Sequence, residues 1–403
     1  MNENRPSITV ICGFHSGSST DWWQKKFPLS EKDTMGREND SIETSIVTPR
    51  QISTVAPVQG MFITKDGKTS YHAAPDTVNP LYRNNIPLLP GKGYLLEDRD
   101  MLVLYGDDSQ QEYADVFFVY SSGQSAGELS VDIRERSVMA GGRKKTLLKN
   151  IRMDIPQGHM VLILGGSGAG KTTFMNAVMG YEPADGKIVY NGRDIYRDFD
   201  DMKYEIGYVP QQDLLRMSDT VYNTLMDAAL MRLPKSCTKD DYKSAVEQTM
   251  RMLGLKREQF NRVGKLSGGQ RKRLSIAVEY IGNPSLFFLD EPDSGLDSGM
   301  AMELMNNLRA IADQGKIVIV ISHSPNRVAE MFDEVIVLAK SEEDNCGYLA
   351  FHGNTADACS FFGVTVKENA DLEGIVSRIN MKEEGGEGKG DYYIRRFAER
   401  TDR

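Results

Sequence analysis

The sequence contains few of the features that mark secreted, membrane-spanning or nucleic-acid-binding proteins. Its four cysteines (Cys12, Cys237, Cys346 and Cys359) lack the spacing of metal ligands, which indicates free thiols in a reducing compartment. No apolar run approaches the roughly 18 to 20 residues that a spanning helix needs, and the N-terminus has no hydrophobic signal segment. The net charge of −9 disfavours nucleic acid as a partner. We therefore expect a cytoplasmic protein that reaches a membrane only through another protein.

The chain has an ordinary globular composition and is long enough for more than one domain. Its 403 residues suffice for two or three domains, and 40% hydrophobic with 26% charged residues is typical of soluble globular proteins. Residues 121–127 are small and polar without apolar periodicity, which predicts a linker. We predict an N-terminal domain at 1–120, a second domain at 128–345 and a C-terminal extension with a flexible tail at 346–403.

A glycine-rich segment follows the apolar run Met160–Leu164 and precedes a helix-permissive stretch, Phe174–Met179. Gly-x-x-x-x-Gly-Lys-Thr between a strand and a helix is typical of a phosphate-binding loop. Glycine lacks Cβ, so backbone N–H groups can close around a phosphate at the positive end of a helix. The alternative is a glycine turn that binds nothing. The predicted nucleotide-binding residues are Gly165, Gly166, Ser167, Gly168, Ala169, Gly170, Lys171, Thr172 and Thr173.

A second phosphate cradle is predicted downstream, in the sequence Leu-Ser-Gly-Gly-Gln at 266–270. A serine and two glycines at the start of a predicted helix turn backbone N–H groups toward an anion. A second cradle in one chain is puzzling unless it serves a nucleotide that another subunit holds. The residues of this predicted nest are Ser267, Gly268, Gly269 and Gln270.

Acidic side chains follow the apolar run Leu286–Leu289 at 290 and 291. A carboxylate at the end of a buried strand can bind Mg²⁺, and its neighbour can polarise the water that attacks a γ-phosphate. We assign the first role to Asp290 and the second to Glu291. In isolation, two solvated acids at a strand end would be an equally good interpretation, but their position shortly after the nest favours the catalytic one.

Two further polar residues complete the candidate site. Gln211 follows a short predicted strand and can reach both Mg²⁺ and the attacking water, although a glutamine in a loop is a weak signal alone. His323 follows the apolar strand Ile317–Ile321 and is placed to hydrogen-bond the γ-phosphate. We predict a nucleoside triphosphate, which the resemblance described below implies is ATP, and Mg²⁺ as ligands. The predicted catalytic residues are Glu291, His323 and Gln211, and the predicted metal ligands are Thr172, Asp290 and Gln211.

In their order, these motifs resemble an ATP-binding cassette (ABC) ATPase across residues 128–345. The resemblance implies an α/β P-loop NTPase fold with an antiparallel β subdomain and a helical subdomain. It also implies a second cassette subunit, paired head to tail in a homodimer, and it adds Asp297, in the segment that crosses the dimer seam in that family, to the nucleotide contacts. Finer similarity is to the G subfamily, the white/pleiotropic drug resistance type of exporter. That similarity is carried by Gly207–Leu214, Thr220–Leu225, Met231–Pro234 and Ser267–Glu279.

The subfamily resemblance implies a membrane permease as partner, either as a separate chain or as a part that follows this one. It places the cassette on the inner face of the cell membrane. Asp293 and Ser324 depart from the family's usual threonine and glutamine, and the region around Val138 supplies no aromatic residue for adenine. The rival hypothesis is a soluble cassette ATPase, or a phosphopeptide-dependent scaffold, without a permease.

The first 120 residues are dominated by short β-type runs, at 8–11, 61–64, 101–105 and 116–120, which predict a small all-β sandwich. The order and spacing of Thr34–Arg37, Gln51–Ser53, Asn79–Asn85 and Leu96–Leu102 resemble a forkhead-associated (FHA) domain. The resemblance implies binding of a phosphothreonine protein, with Arg37 and Ser53 on the phosphate and Asn79 on the peptide backbone. Ala56 and Pro80 replace a histidine and a glycine of that family. A sandwich that serves only as a docking surface therefore remains open.

Overall fold

The computed structural model describes residues 6–16, 19–37, 45–49, 55, 59–66, 68–75, 81–83, 86–97, 100–108, 110, 112–122, 127–322, 325–364, 371–381 and 389–401. Three predicted site residues, Ser53, Asn79 and His323, lie outside these ranges. The strands are β1 (Ser7–Ser16), β2 (Ser19–Pro28), β3 (Lys32–Arg37), β4 (Ile46–Thr48), β5 (Gly60–Lys65), β6 (Lys68–Ala73), β7 (Tyr82–Arg83), β8 (Ile86–Pro87), β9 (Gly93–Leu95), β10 (Met101–Leu104), β11 (Glu112–Ser121), β12 (Glu128–Ala140), β13 (Arg143–Pro156), β14 (Met160–Gly165), β15 (Asp185–Tyr190), β16 (Arg193–Asp194), β17 (Ile206–Val209), β18 (Leu286–Asp290), β19 (Ile317–Ile321), β20 (Glu334–Lys340) and β21 (Gly347–Gly353). The α-helices are α1 (Lys171–Val178), α2 (Phe199–Met202), α3 (Val221–Arg232), α4 (Lys239–Met252), α5 (Gly268–Tyr280), α6 (Ser298–Ala312), α7 (Thr355–Phe362), α8 (Leu372–Asn380) and α9 (Lys389–Thr401).

The chain divides into two compact units. Unit 1 comprises residues 1–126, 216–266 and 313–315, and unit 2 comprises residues 127–215, 267–312 and 316–403. This grouping joins the segment 216–266 to the N-terminal residues, whereas the sequence motifs predict that 216–266 belongs to the domain at 128–345. The predicted domain boundaries stay a prediction.

Two sheets of unit 1 share one hydrophobic cluster. The first has the strand order β2-β1-β11-β10-β7-β8, and the second has the order β4-β3-β5-β6-β9. Because side chains alternate across a strand, Ile8, Val10 and Cys12 of β1 fall on one face and are buried in the cluster. The antiparallel register pairs Val10 with Phe118 of β11, which lies in the same cluster. The cluster is thus built from inward faces of both sheets.

The β-type runs predicted for the first 120 residues are confirmed as strands. Ile8–Ile11 lies in β1, Met61–Thr64 in β5 and Val116–Tyr120 in β11. The run predicted at 101–105 forms β10, which ends one residue earlier. Arg37, the predicted phosphate ligand, is the last residue of β3 and pairs in parallel register with Thr48 of β4.

The helical part of unit 1 consists of α3 and α4, which pack against each other. Both helices begin at a threonine whose hydroxyl accepts a backbone N–H of the first turn, at 3.1 Å for Thr220 and 3.2 Å for Thr238. The Asp241 carboxylate in turn accepts the Thr238 N–H at 2.7 Å, which completes a capping box. These caps fix where each helix starts.

A buried ion pair joins α4 to the N-terminal sheets of unit 1. The carboxylate of Asp115, in β11, is fully buried and accepts from the Gly106 N–H at 2.8 Å and from Nη1 of Arg251 at 3.1 Å. Nη2 of Arg251 lies 3.1 Å from the Asp108 carboxylate, and its guanidinium lies 4.9 Å from the Tyr105 ring centroid. Sequence patterns gave no sign of this pair, because Arg251 and Asp115 are brought together only by tertiary packing.

Unit 2 is built on a ten-stranded sheet with the order β16-β15-β12-β13-β21-β20-β14-β19-β18-β17. Strand β14 runs parallel to both of its neighbours, with Val161 paired to Ile319 of β19 and to Glu334 of β20. Its residues 160–164 are buried, as expected for a parallel strand covered on both faces. Strand β18 is also parallel to β19, so the carboxyl ends of β14 and β18 emerge at the same edge of the sheet.

The C-terminal helices α7, α8 and α9 also belong to unit 2. Helix α9 packs on β20 and β21 through Tyr393 and Phe397, which meet Phe361, Phe362 and Phe351 in one aromatic cluster. Helix α8 packs near the end of β14. Within the part of the chain that the structure describes, no helix has both the length and the hydropathy needed to cross a bilayer.

Candidate functional site

The phosphate loop connects β14 to α1 as the sequence predicts. Gly168 and Gly170 adopt φ values of 74° and 93°, a left-handed conformation that favours glycine. A Cβ on Gly170 would also lie 2.5 Å from Cδ2 of Leu148. The first turn of α1 begins directly after Gly170, so its free N–H groups face the loop interior.

Lys171 is half-buried inside its own loop. Its Nζ donates to the carbonyl oxygens of Gly165 at 2.8 Å and of Gly166 at 3.3 Å. Burial lowers the pKa of Lys171, and the negative charges of Glu291 and Asp290 oppose that shift. The ammonium group is therefore directed across the loop toward its strand end, in the field of two carboxylates.

The predicted acidic pair lies beside the loop. Asp290 ends β18, and its Oδ2 accepts a hydrogen bond from the Thr172 hydroxyl at 3.2 Å. The Glu291 N–H donates to the Ile321 carbonyl at 2.9 Å, and Glu291 has a φ of 50°. Nε2 of Gln211 donates to Oε2 of Glu291 at 2.5 Å. The structure thus brings together Thr172, Asp290, Glu291 and Gln211 of the predicted site.

Thr172, Asp290 and Glu291 line one cleft of about 550 Å³ together with the phosphate loop, and Gln211 is joined to this lining through Glu291. Two of its lining residues, Val376 and Asn380 on α8, were missed by the sequence analysis. No motif in the sequence of α8 pointed to the phosphate loop. The lining residues are Gly165, Gly166, Ser167, Gly168, Gly170, Lys171, Thr172, Thr173, Asp290, Glu291, Ile321, Val376 and Asn380.

The Ser-Gly-Gly nest begins α5 and does not line this cleft. The Ser267 hydroxyl accepts the Gln270 N–H at 3.2 Å, and Oε1 of Gln270 accepts the Ser267 N–H at 2.9 Å. This capping box engages both side chains, while the N–H groups of Gly268 and Gly269 belong to a first turn that has no helical carbonyl to accept them. The nest is therefore formed in the isolated chain, but away from the chain's own phosphate cleft.

Asp297, the remaining predicted nucleotide contact, is engaged at the start of α6. Its Oδ1 accepts the Met300 N–H at 2.9 Å. Nearby, the Ser322 hydroxyl donates to Oδ2 of Asp293 at 2.6 Å. This hydrogen bond links Asp293, which departs from the family's usual threonine, to the residue that follows β19.

The oxygen atoms at the cleft suit a divalent cation that is shared with phosphate. The Thr172 hydroxyl and the Asp290 carboxylate approach each other to 3.2 Å, and Gln211 adds a carboxamide oxygen. Mg²⁺ is commonly held by one or two such groups, with phosphate oxygens and water completing its shell. Among the described residues, no cluster of three or more His, Cys, Asp or Glu side chains forms a metal site made by protein alone.

Comparisons with known proteins agree with this geometry. Residues 148–294 match the ABC transporter family. The chain is 39% identical over 222 residues to the ABC transporter ATP-binding/permease protein Rv1747 of Mycobacterium tuberculosis, covering 55% of this chain and 25% of that protein. It is 36% identical over 228 residues to ABC transporter G family member 14 of Arabidopsis thaliana, covering 55% of this chain and 34% of that protein. The chain thus spans about a quarter to a third of the length of these relatives.

Solved structures show the same fold. The chain is similar to cbiO1 from Clostridium perfringens, part of the ABC transporter complex cbiONQ, with a TM-score of 0.50, 25% identity and coverage of 58% of this chain and 90% of that one. An ATP-binding subunit of an ABC transporter is similar in fold, with a TM-score of 0.51, 21% identity and coverage of 62% and 99%. Residues 148–294 are therefore similar to ABC transporter ATPase domains, and the chain has homologues among the G-family ABC transporters.

Proposed function

We propose that this chain is the ATP-hydrolysing subunit, or the nucleotide-binding part, of an ABC transporter of the exporter type. The observation that carries the proposal is the single cleft that gathers the phosphate loop, Lys171, Thr172 and both carboxylates. Within it, Lys171 binds the β- and γ-phosphates of ATP, and Thr172 with Asp290 holds Mg²⁺. The cation offsets the charge that develops on the phosphate oxygens.

Glu291 is the proposed base that polarises the attacking water. Its carboxylate is already oriented by Gln211, at 2.5 Å, and by the left-handed backbone at 291. Gln211 would also help to hold the cation, and His323 would contact the γ-phosphate. A carboxylate held in place before the substrate binds needs little reorganisation during the reaction.

A second cassette subunit completes each nucleotide site in this proposal. The nest of Ser267, Gly268, Gly269 and Gln270 is preformed but does not line its own chain's cleft. Two copies paired head to tail would place each nest, together with Asp297, over the phosphates in the partner's cleft. Bound ATP then holds the dimer together, and hydrolysis releases it.

A membrane permease is the proposed partner of the paired cassettes. The segment 216–266 exposes several apolar side chains, among them Leu230, Met231 and Phe260, with exposed fractions of 56%, 76% and 77%. Apolar groups on a polar surface are typical of contacts with another protein. They support a docking role for this segment, at the inner face of the cell membrane.

Recovery with membranes tests the transport role against its rival, the soluble ATPase or scaffold. In its source cell the protein is expected to copurify with a multi-spanning protein, and Met231→Ser with Phe260→Ser is expected to reduce that recovery severalfold without loss of ATP binding. Exposed Met381→Ser serves as the matched control. A protein that stays out of the membrane fraction, meets no permease and still hydrolyses ATP would support the rival.

The N-terminal sheets are proposed to be an FHA-like sandwich that regulates or tethers the cassette. Support comes from the two sheets around one hydrophobic cluster and from the position of Arg37 at the end of a strand. Arg37 and Ser53 would bind a phosphothreonine, and Asn79 the peptide backbone. A phosphothreonine peptide library should then contain ligands that bind the native chain and not the Arg37→Ala variant. The docking-surface alternative predicts no phosphate-dependent binding.

A further inference from the structure

Helix α8 is fixed in position at its N-terminal end. Oδ1 of Asp371 accepts from the Gly374 N–H at 2.9 Å and from Nδ2 of Asn326 at 3.1 Å. Oδ1 of Asn326 accepts the Glu373 N–H at 2.9 Å. The side chains at 372, 375 and 379 are buried along one face of the helix. The cap and this apolar face together determine which side chains α8 presents to the phosphate cleft.

The side chains that reach the cleft are Val376 and Asn380, four residues apart on one face of α8. A Cβ on Gly166 would lie 2.2 Å from Oδ1 and 3.0 Å from Nδ2 of Asn380. Gly166 does not have a positive φ, in contrast to Gly168 and Gly170. The Asn380 carboxamide therefore occupies the space that a side chain at 166 would take, and a larger residue at 166 would displace it.

Asn380 lies at the strand end of the phosphate loop, toward which Lys171 is directed. Nζ of Lys171 contacts the Gly165 and Gly166 carbonyls, whereas the N-terminus of α1 lies at the other end of the loop. The helix N-terminus is the expected position of the β-phosphate, and the lysine reaches from there to the γ-phosphate. The carboxamide is consequently beside the expected position of the γ-phosphate.

The chemistry of the carboxamide suits that position. It is neutral and carries two N–H donors, and no described residue forms a hydrogen bond with it. The carboxyl end of α8 contributes a partial negative charge that disfavours a phosphate nearby. A neutral donor between that helix end and the nucleotide offsets the repulsion, whereas an added carboxylate would increase it.

We propose that Asn380 is a nucleotide-contacting residue that donates a hydrogen bond to the terminal phosphate of ATP. Helix α8, which lies outside the segment that matches the ABC transporter family, then distinguishes ATP from ADP. This inference rests on the proposed nucleotide site. It adds a specificity-determining contact to the chain's own half of that site.

Binding of a non-hydrolysable ATP analogue and of ADP, both with Mg²⁺, tests the contact. We expect Asn380→Ala to bind the analogue about tenfold more weakly, as for loss of a hydrogen bond to a charged group, and to bind ADP within about twofold of the native chain. Asn380→Asp keeps the shape but adds a negative charge, so it should weaken the analogue further. Ser377→Ala and Ser377→Asp, at an exposed position of the same helix, should leave both affinities unchanged.

The outcomes separate this contact from the nucleotide site itself. The role of Asn380 would be overturned, with the nucleotide site left intact, if Asn380→Ala bound the analogue with native affinity. It would also be overturned if the variant lost affinity for the analogue and for ADP equally. The proposed function would be overturned instead if the native chain bound neither nucleotide and the Lys171→Ala variant behaved in the same way. A change in the ratio of the two affinities cannot come from general destabilisation of α8, which would weaken both nucleotides alike.

Discussion

The Glu291→Gln variant is expected to bind ATP as tightly as the native chain and to hydrolyse it about 10²- to 10⁴-fold more slowly, which is the usual contribution of a positioned general base. The amide has the same shape and still accepts a hydrogen bond from Gln211, but it cannot take a proton from water. The loss should therefore appear in the turnover rate and not in the nucleotide affinity. Single-turnover phosphate release and equilibrium nucleotide binding separate the two quantities.

The matched control for this prediction is Glu343→Gln, which neutralises an exposed carboxylate outside the cleft of the same unit. It should hydrolyse ATP at the native rate. Retention of native turnover by Glu291→Gln would remove Glu291 from the role of base, and Gln211 or His323 would then have to be tested in its place.

The second large effect concerns stability. Arg251→Met keeps an unbranched apolar stem but leaves the buried Asp115 carboxylate without its guanidinium partner. Breaking a buried pair in this way costs about 3 to 5 kcal/mol of unfolding free energy. Burial tends to lower the pKa of Arg251, but the charges of Asp115, Glu247 and Asp108 raise it overall, so the guanidinium is charged at neutral pH.

Tryptophan fluorescence during urea unfolding measures this effect selectively. Both tryptophans of the chain, Trp22 and Trp23, lie in β2 of unit 1, the unit that contains the pair. The control Lys243→Met removes an exposed ion pair with Asp240 on the same helix and should leave the transition unchanged. The double variant Arg251→Met with Asp115→Asn should lose less free energy of unfolding than the two single variants lose together. Native stability in Arg251→Met would show that the pair does not stabilise unit 1.

The parts of the site that sequence analysis predicted are those encoded in a few consecutive residues. The glycine spacing at 165–170, the apolar strand before Asp290 and the capping residues of α5 each specify local backbone geometry. Local geometry of this kind follows from the residues themselves. The strands at 8–11 and 61–64 were predictable for the same reason, since their alternation is local.

The features that were missed depend on contacts between distant segments. Asn380 reaches Gly166 only because α8 is anchored by Asn326, which lies in a different part of the chain. Arg251 and Asp115 are 136 residues apart, and each alone has the pattern of a surface charge. A buried charge is recognisable only when its partner is known. The grouping of 216–266 with the N-terminal residues follows from packing of this kind.

The measurement that tests the shared-nucleotide account most directly is the mass of the Glu291→Gln variant in solution with Mg²⁺ and saturating ATP. Light scattering should give twice the 45.0 kDa of one chain with ATP and a single chain without it. Adding Ser267→Arg, which fills the nest, should abolish the ATP-dependent dimer, whereas Ser377→Arg should not. A mass that stays at one chain under saturating ATP would contradict the pairing of two cassettes around a shared nucleotide.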